Sequence, residues 1–311
     1  MSINFEFEQS LKDPVVKFTI ILGSGFHRNA IGGDSILSSW EKLLCKLSPG
    51  GNLTGQYHLD FEKIIQSKKI ACEDSHVTEE RLIACVQKLI KEEQERVLKE
   101  CEQQSYPIGI FNPDKVSDVI SLNFDEVPEL LLSMKKRVKE GNYCNDSSFA
   151  KAKNPDKKVS KTSYTYLSTR HKKIQFDSGE SIRFWHPHGE IEENKSIVLG
   201  LHRYSQMVNC ARRVRNHHIQ EKRKDTYDNT WYYRLLENPV LILGAAMSPT
   251  EWDMWFALTS RERANGEKQH IFQMRECECK KDVHHEWFQP LFTGMSFKEQ
   301  WQELEKLFKT Q

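Results

Sequence analysis

Short apolar, β-branched runs recur along the chain, each ending in small or polar residues and each followed by positions spaced three or four apart. Val15-Val16-Lys17-Phe18-Thr19-Ile20-Ile21-Leu22 runs directly into Gly23-Ser24-Gly25, which predicts a buried strand closing in a tight glycine turn. Ile36, Leu37, Trp40, Leu43 and Leu44 recur at helical spacing, so a helix is expected within about a dozen residues of the turn. From Thr78 to Gln103 one face carries Leu82, Ile83, Val86, Leu89, Ile90, Val97 and Leu98. That face predicts a long scaffold helix, with Thr78, Glu79 and Glu80 suited to its N-terminus.

A second strand is expected from Ser117 to Leu122, delivering Asn123-Phe124-Asp125 at its end, and Pro128 can open a helix from Glu129 to Val138. Residues 141–181 are polar and aperiodic, rich in Asn, Ser and Lys, and read as a long excursion or small insertion. Ile182 to Trp185 is strand-like and carries into His186-Pro187-His188-Gly189, and Ser196 to Leu199 is expected as another short strand. The stretch from Met207 to Lys224 is basic, with Arg212, Arg213, Arg215, Lys222, Arg223 and Lys224, as solvated helix faces often are. Pro239 to Leu243 is the best-defined strand and ends at Gly244, with a Trp-rich helix to follow from Thr250 to Arg263. His270 to Met274 suits a last strand, and Ser296-Phe297-Lys298-Glu299 is a capping box opening a terminal helix.

Strands alternating with helices predict an α/β chain: a Rossmann-like, doubly wound, mainly parallel sheet with helices on both faces and polar insertions. One domain is expected over 1–311, with a core at about 15–275, an insertion at about 141–181 and a helical tail at about 285–311. Ligands of such sheets bind at the C-terminal strand ends. The glycine turn, Asn123, the two histidines and Gly244 all stand at such ends, so they can converge on one crevice.

Composition narrows the function. Lys and Arg number 45 and Asp and Glu 44, so no overall field draws the chain to nucleic acid or anionic membrane. No apolar run approaches the roughly 18 residues of a membrane span, and the N-terminus lacks the profile of an export signal. The expected location is the cytoplasm. Eight cysteines, at 45, 72, 85, 101, 144, 210, 277 and 279, are scattered and are expected as free thiols.

Gly23-Ser24-Gly25 matches the start of a dinucleotide-binding turn, where glycine permits close approach and the next helix offers N–H groups to phosphate. Arg28 replaces the third glycine of the full fingerprint, so a plain strand-to-helix turn stays open; His27 and Arg28 could still face phosphates. Asn123 and Asp125 are residues that either cap the following helix or hold a ribose hydroxyl or water. His186 and His188 are two apart, so on an extended segment they point the same way. Turn-stabilising hydrogen bonds and a metal pair are the other readings of that spacing. Cys277-Glu278-Cys279 has the wrong spacing to complete a structural zinc site, so no metal is expected. Glu251, Trp252 and Trp255 suit a helix N-terminus with core indoles.

Taken in order, ILGSGF (21–26), SLNFD (121–125), HPHG (186–189) and LILGAAMSPTE (241–251) resemble the sirtuin family, and more closely the sirtuin-like NAD hydrolases of bacterial antiphage defence. The resemblance spans roughly residues 15 to 265. It implies that Gly23, Ser24, Gly25, Phe26 and Arg28 contact NAD, that Asn123 is catalytic with Asp125 in support, and that His188, before Gly189, is the catalytic histidine rather than His186. It also implies adenosine-ribose contacts from Gly244 to Ser248. Protein-deacylating sirtuins carry two C-x-x-C zinc pairs, and this chain has neither; no zinc-ribbon module is expected and acyl-lysine removal is disfavoured.

The implied reaction cleaves the nicotinamide–ribose bond of NAD, the substrate, to give nicotinamide and ADP-ribose. Nicotinamide leaves neutral, so no strong acid is needed; Asn123 can orient water and His188 can take its proton. A module that senses NAD or ADP-ribose without cleaving it, and an ADP-ribosyltransferase, are the alternatives. The defence relatives imply abortive infection by NAD depletion, gated in an oligomeric complex by a HerA-like ATPase or an inosine triphosphate pyrophosphatase-like partner. The Trp-rich helix at 252–255 and the tail from about residue 285 are the expected interfaces, or simply core.

Overall fold

The computed structural model describes residues 2–48, 53–67, 78–100, 106–134, 138–145, 170–192, 196–219, 230–247, 251–265, 270–275 and 288–309. Its strands are β1 (Ser2–Ile3), β2 (Phe18–Leu22), β3 (Val116–Ser121), β4 (Val138–Asn145), β5 (Arg170–Phe176), β6 (Ser181–Trp185), β7 (Val240–Leu243), β8 (Ile271–Gln273), β9 (Gln289–Pro290) and β10 (Phe292–Thr293). Eight of them form one sheet in the order β4-β5-β6-β3-β2-β7-β8-β9, and β1 pairs separately with β10. From β6 to β9 every neighbouring pair is parallel, while β4-β5 and β5-β6 are antiparallel.

The helices are α1 (Phe5–Lys12), α2 (Gly25–Ile31), α3 (Trp40–Leu47), α4 (Tyr57–Ser67), α5 (Glu79–Glu100), α6 (Val127–Met134), α7 (Leu201–Ile219), α8 (Trp231–Glu237), α9 (Trp252–Asn265) and α10 (Phe297–Lys309). Successive strand residues point to opposite faces, and here each face has its own core. Ile20, Val119, Phe184 and Leu241 lie level in the sheet and pack with α1 to α6 and α10. Their neighbours Ile21, Ile120, Trp185 and Ile242 pack with α7, α8 and α9. The chain is therefore α/β, with a mixed, mostly parallel sheet covered by helices on both faces. Strands buried on two sides read as continuous apolar runs, which is why β2 and β7 stand out in the sequence.

The capping box is realised: the Ser296 hydroxyl donates to Glu299 at 2.7 Å, and the Ser296 N–H donates to the same carboxylate at 2.8 Å. Thr78 caps α5 through the Arg81 N–H, at 3.3 Å. Other expectations need correction. β2 begins at Phe18, and Val15 is 86% exposed. Val138, expected to end a helix, instead begins β4. The aperiodic segment supplies β4 and β5 at its ends, and they extend the sheet antiparallel; residues 146–169 lie outside the described residues. Ser196 to Leu199 is buried but forms no strand; Val198 N–H donates to the His188 carbonyl at 2.7 Å.

Arg212 on α7 is exposed, whereas Lys222, Arg223 and Lys224 lie outside the described residues. Cys45 is a free thiol. Among the described residues no helix is long and apolar enough to cross a membrane.

Candidate active site

β6, β3, β2 and β7 are consecutive and parallel, so the turns that follow them lie side by side along one edge of the sheet. The turns after β2 and β7 are fused through their backbones. Gly23 N–H donates to the Leu243 carbonyl at 2.9 Å and Gly25 N–H to the Gly244 carbonyl at 2.8 Å. A Cβ on Gly23 would lie 2.6 Å from the Ala245 Cα, and one on Gly25 would lie 2.7 Å from the Gly244 Cα. Gly244 itself has φ +65°, which side chains rarely adopt. The glycines thus serve a turn-to-turn contact, and the two N–H groups are spent on β7 rather than left open to phosphate. Gly25→Ala is expected to destabilise by about 1–3 kcal/mol, the cost of overpacking; an unchanged urea midpoint would show that the joint yields freely.

Of the remaining residues in that turn, half-buried Ser24 borders a small cleft of about 20 Å³. Phe26 is fully buried, with its ring 5.1 Å from Tyr106 and 5.9 Å from Phe111 and from Trp301. Arg28 is exposed. Ser248 lies outside the described residues.

Asn123 and Asp125 follow β3. Asp125 accepts the Val127 N–H at 3.1 Å, which opens α6, and its other oxygen lies 3.1 Å from His27 Nε2. The His27 Nδ1 in turn meets the Tyr106 hydroxyl at 3.1 Å. Burial opposes ionisation of Asp125, but His27, the Val127 N–H and His186 outweigh it and hold its pKa below the usual value. Asp125 therefore both caps a helix and ties the β3 turn to α2. Asn123 is 6% exposed and borders the same cleft as Ser24, and its amide Nδ2 is buried without a hydrogen-bond partner. A buried donor without a partner costs free energy, and such an exception calls for an explanation.

The two histidines are held differently. His186 Nδ1–H donates to the Asn123 carbonyl at 3.0 Å, and Nε2 lies 2.6 Å from Glu129 of α6. Both partners only accept, so the ring is the doubly protonated cation. Burial opposes that charge, yet Glu129, with Glu190 and Glu126, raises the pKa to about 10. His188 Nε2 lies 2.8 Å from Asp253 of α9, and its Nδ1 lies 3.4 Å from the Leu122 carbonyl. The Tyr204 hydroxyl sits 3.0 Å from Nε2. Burial again opposes protonation, and Asp253, Glu251 and the Leu122 carbonyl overcome it, so the His188 pKa is raised. His186 is a locked cation that positions the Asn123 backbone. His188, with one loosely held nitrogen, is the ring able to exchange a proton. It is 1% exposed and does not line the cleft.

No protein-family model and no curated protein matches the chain.

Gly189 turns the chain after His188 with φ +94°, and a Cβ there would meet the Ser196 carbonyl oxygen at 2.3 Å. The two histidines engage different carboxylates, and among the described residues no group of three or more His, Cys, Asp or Glu could hold a metal ion. Three further ion pairs brace the region: Lys172 with Glu126 at 2.9 Å, Arg170 with Glu190, and Arg183 with Asp118 at 2.7 Å. Trp255 stacks on Phe288 at 5.2 Å, while Trp252 is 48% exposed.

Sequence reasoning missed Asp253, Tyr204 and Glu129. The available signal for Asp253 was an acid in the first turn of the helix after Gly244, where Glu251 drew the attention. Tyr204 carried no signal beyond its place in an ordinary helix.

Proposed function

We propose that the chain hydrolyses NAD at its nicotinamide–ribose bond. The observation that carries this is Asn123, whose buried, unpartnered amide stands at the end of a central strand beside a cleft that Ser24 also borders. The cleft is small, about 20 Å³, room for a water, so a dinucleotide must widen it on entry. Leu37, Trp40 and Leu43 give it an apolar side for a flat heteroaromatic ring. Numbered among themselves in chain order, the parallel strands run 3-2-1-4-5-6 across the sheet, the order of a doubly wound, Rossmann-like fold. The sirtuin-like order of motifs supplies the substrate.

In this reading the bond from ribose C1′ to the pyridinium nitrogen breaks and its electron pair leaves with neutral nicotinamide. Asn123 orients a water whose oxygen bonds to C1′, and the water's proton passes through a ribose hydroxyl to His188, whose ring does not line the cleft. An enzyme that drains NAD must be restrained, so its activity is gated by assembly or by a partner of the HerA-like ATPase or inosine triphosphate pyrophosphatase-like kind, as an antiphage effector would be. Trp252 on α9 is exposed and available to such a contact.

Incubation of the purified chain with NAD tests the reading, with calorimetry for binding and chromatography for products. Equimolar nicotinamide and ADP-ribose are expected. NAD bound but left intact would make the chain a sensing module, and ADP-ribose joined to an added protein or nucleic acid would make it a transferase.

A further inference from the structure

Asp253 is fully buried at the second position of α9, directly after an exposed tryptophan, and one of its oxygens has no hydrogen-bond partner. Its other oxygen is 2.8 Å from His188 Nε2. A carboxylate held so far from water needs a cation or a strong donor, and His188 is what this one faces. An ionised carboxylate can only accept, so the proton between them belongs to Nε2. The other ring nitrogen has only the 3.4 Å contact to the Leu122 carbonyl and the Tyr204 hydroxyl, also at 3.4 Å.

We infer that Asp253 is a positioning residue that keeps one His188 proton on Nε2 and leaves Nδ1 as the nitrogen that exchanges protons. The inference rests on the hydrolase reading for its catalytic half: the proton lost by the attacking water arrives at Nδ1, and the imidazolium so formed is stabilised by Asp253. Other groups face the ring as well. Glu251 precedes Asp253, Tyr204 comes from α7 with the His58 ring of α4 packed on it at 3.8 Å, and Trp40 of α3 meets the ring edge-on at 6.5 Å. Burial, Asp253 and Glu251 all push the Tyr204 hydroxyl well above its usual pKa, so it stays protonated and adds no charge.

Nitrogen-detected NMR of the whole chain, without NAD, reads the His188 ring directly. In its neutral form the proton should reside on Nε2, and the ring should titrate above the ordinary value of 6.5. Asp253→Asn should lower that titration by about 1–3 pH units, the size of a close opposite charge, whereas Tyr204→Phe should leave it raised. With NAD as substrate, kcat should fall about 10²-fold in Asp253→Asn with KM little changed. The rise of activity with pH should shift to lower pH in that variant.

A neutral ring protonated on Nδ1, or a titration unmoved by Asp253→Asn, overturns the inference. The tautomer is read in the unaltered protein, so the test survives a variant that fails to fold. A correct tautomer and raised titration without nicotinamide release would remove the hydrolase reading and leave the pair. Hydrolysis with the wrong tautomer would remove Asp253 alone.

Discussion

Asn123→Ala should lose nicotinamide release by at least about 10²-fold, the scale of a lost positioning contact, while its thermal midpoint stays put or rises slightly. The two halves of that result have one cause. The Asn123 amide Nδ2 makes no hydrogen bond in the folded chain, so removing it costs no bond and relieves a desolvated donor. The contacts that fix the turn are backbone ones: the Asn123 carbonyl accepts from His186 at 3.0 Å and its N–H donates to the Ser121 hydroxyl at 3.3 Å. Alanine keeps both. A thermal melt beside a nicotinamide assay checks the pair, and full activity in a well-folded variant would remove Asn123 from the reaction.

Glu129→Ala should be the most destabilising single change in the region, by about 3–5 kcal/mol, because it strands a buried histidine cation. Glu129 is fully buried and lies 2.6 Å from His186 Nε2. The pH dependence follows from linkage. The His186 pKa is raised from 6.5 to about 10 on folding, so the folded chain binds the proton more tightly. The stabilisation is fully present below about pH 6.5 and is lost as pH climbs through about 10. Denaturant titrations across that window should show wild-type stability falling with rising pH, and Glu129→Ala should flatten the slope. An equal slope in the variant would assign the pH dependence to another group. Because His186 also donates to the Asn123 carbonyl, activity should fall even where the variant remains folded.

The parts of the fold legible in the sequence are those whose local chemistry decides them. β2 and β7 are apolar on both faces because helices cover both, and the Ser296 and Glu299 box caps α10 by contacts three residues apart. The end of α6 and the start of β4 were illegible because Val138 joins a sheet edge whose partner, β5, is distant in sequence and equally polar. Ser196 to Leu199 has the composition of a strand, but the carbonyl it meets belongs to His188, outside any ladder. The site divides the same way. Asn123 and His188 could be named from their strand ends, whereas Asp253 meets His188 from 65 residues away, through a helix whose facing direction only the packing sets. The glycine turns were legible as turns, but their contact with each other was not, since it depends on β2 and β7 being neighbours.

That contact stiffens the turn from which Ser24 borders the cleft. Between β2 and β7 the backbones touch with no side chain to repack and are pinned at Gly23 and Gly25, so parting them costs main-chain bonds outright. The other boundary, built by Leu37, Trp40 and Leu43, is made of side chains that can change rotamer. A ligand larger than the cleft would enter by displacing α3 rather than by parting the two turns.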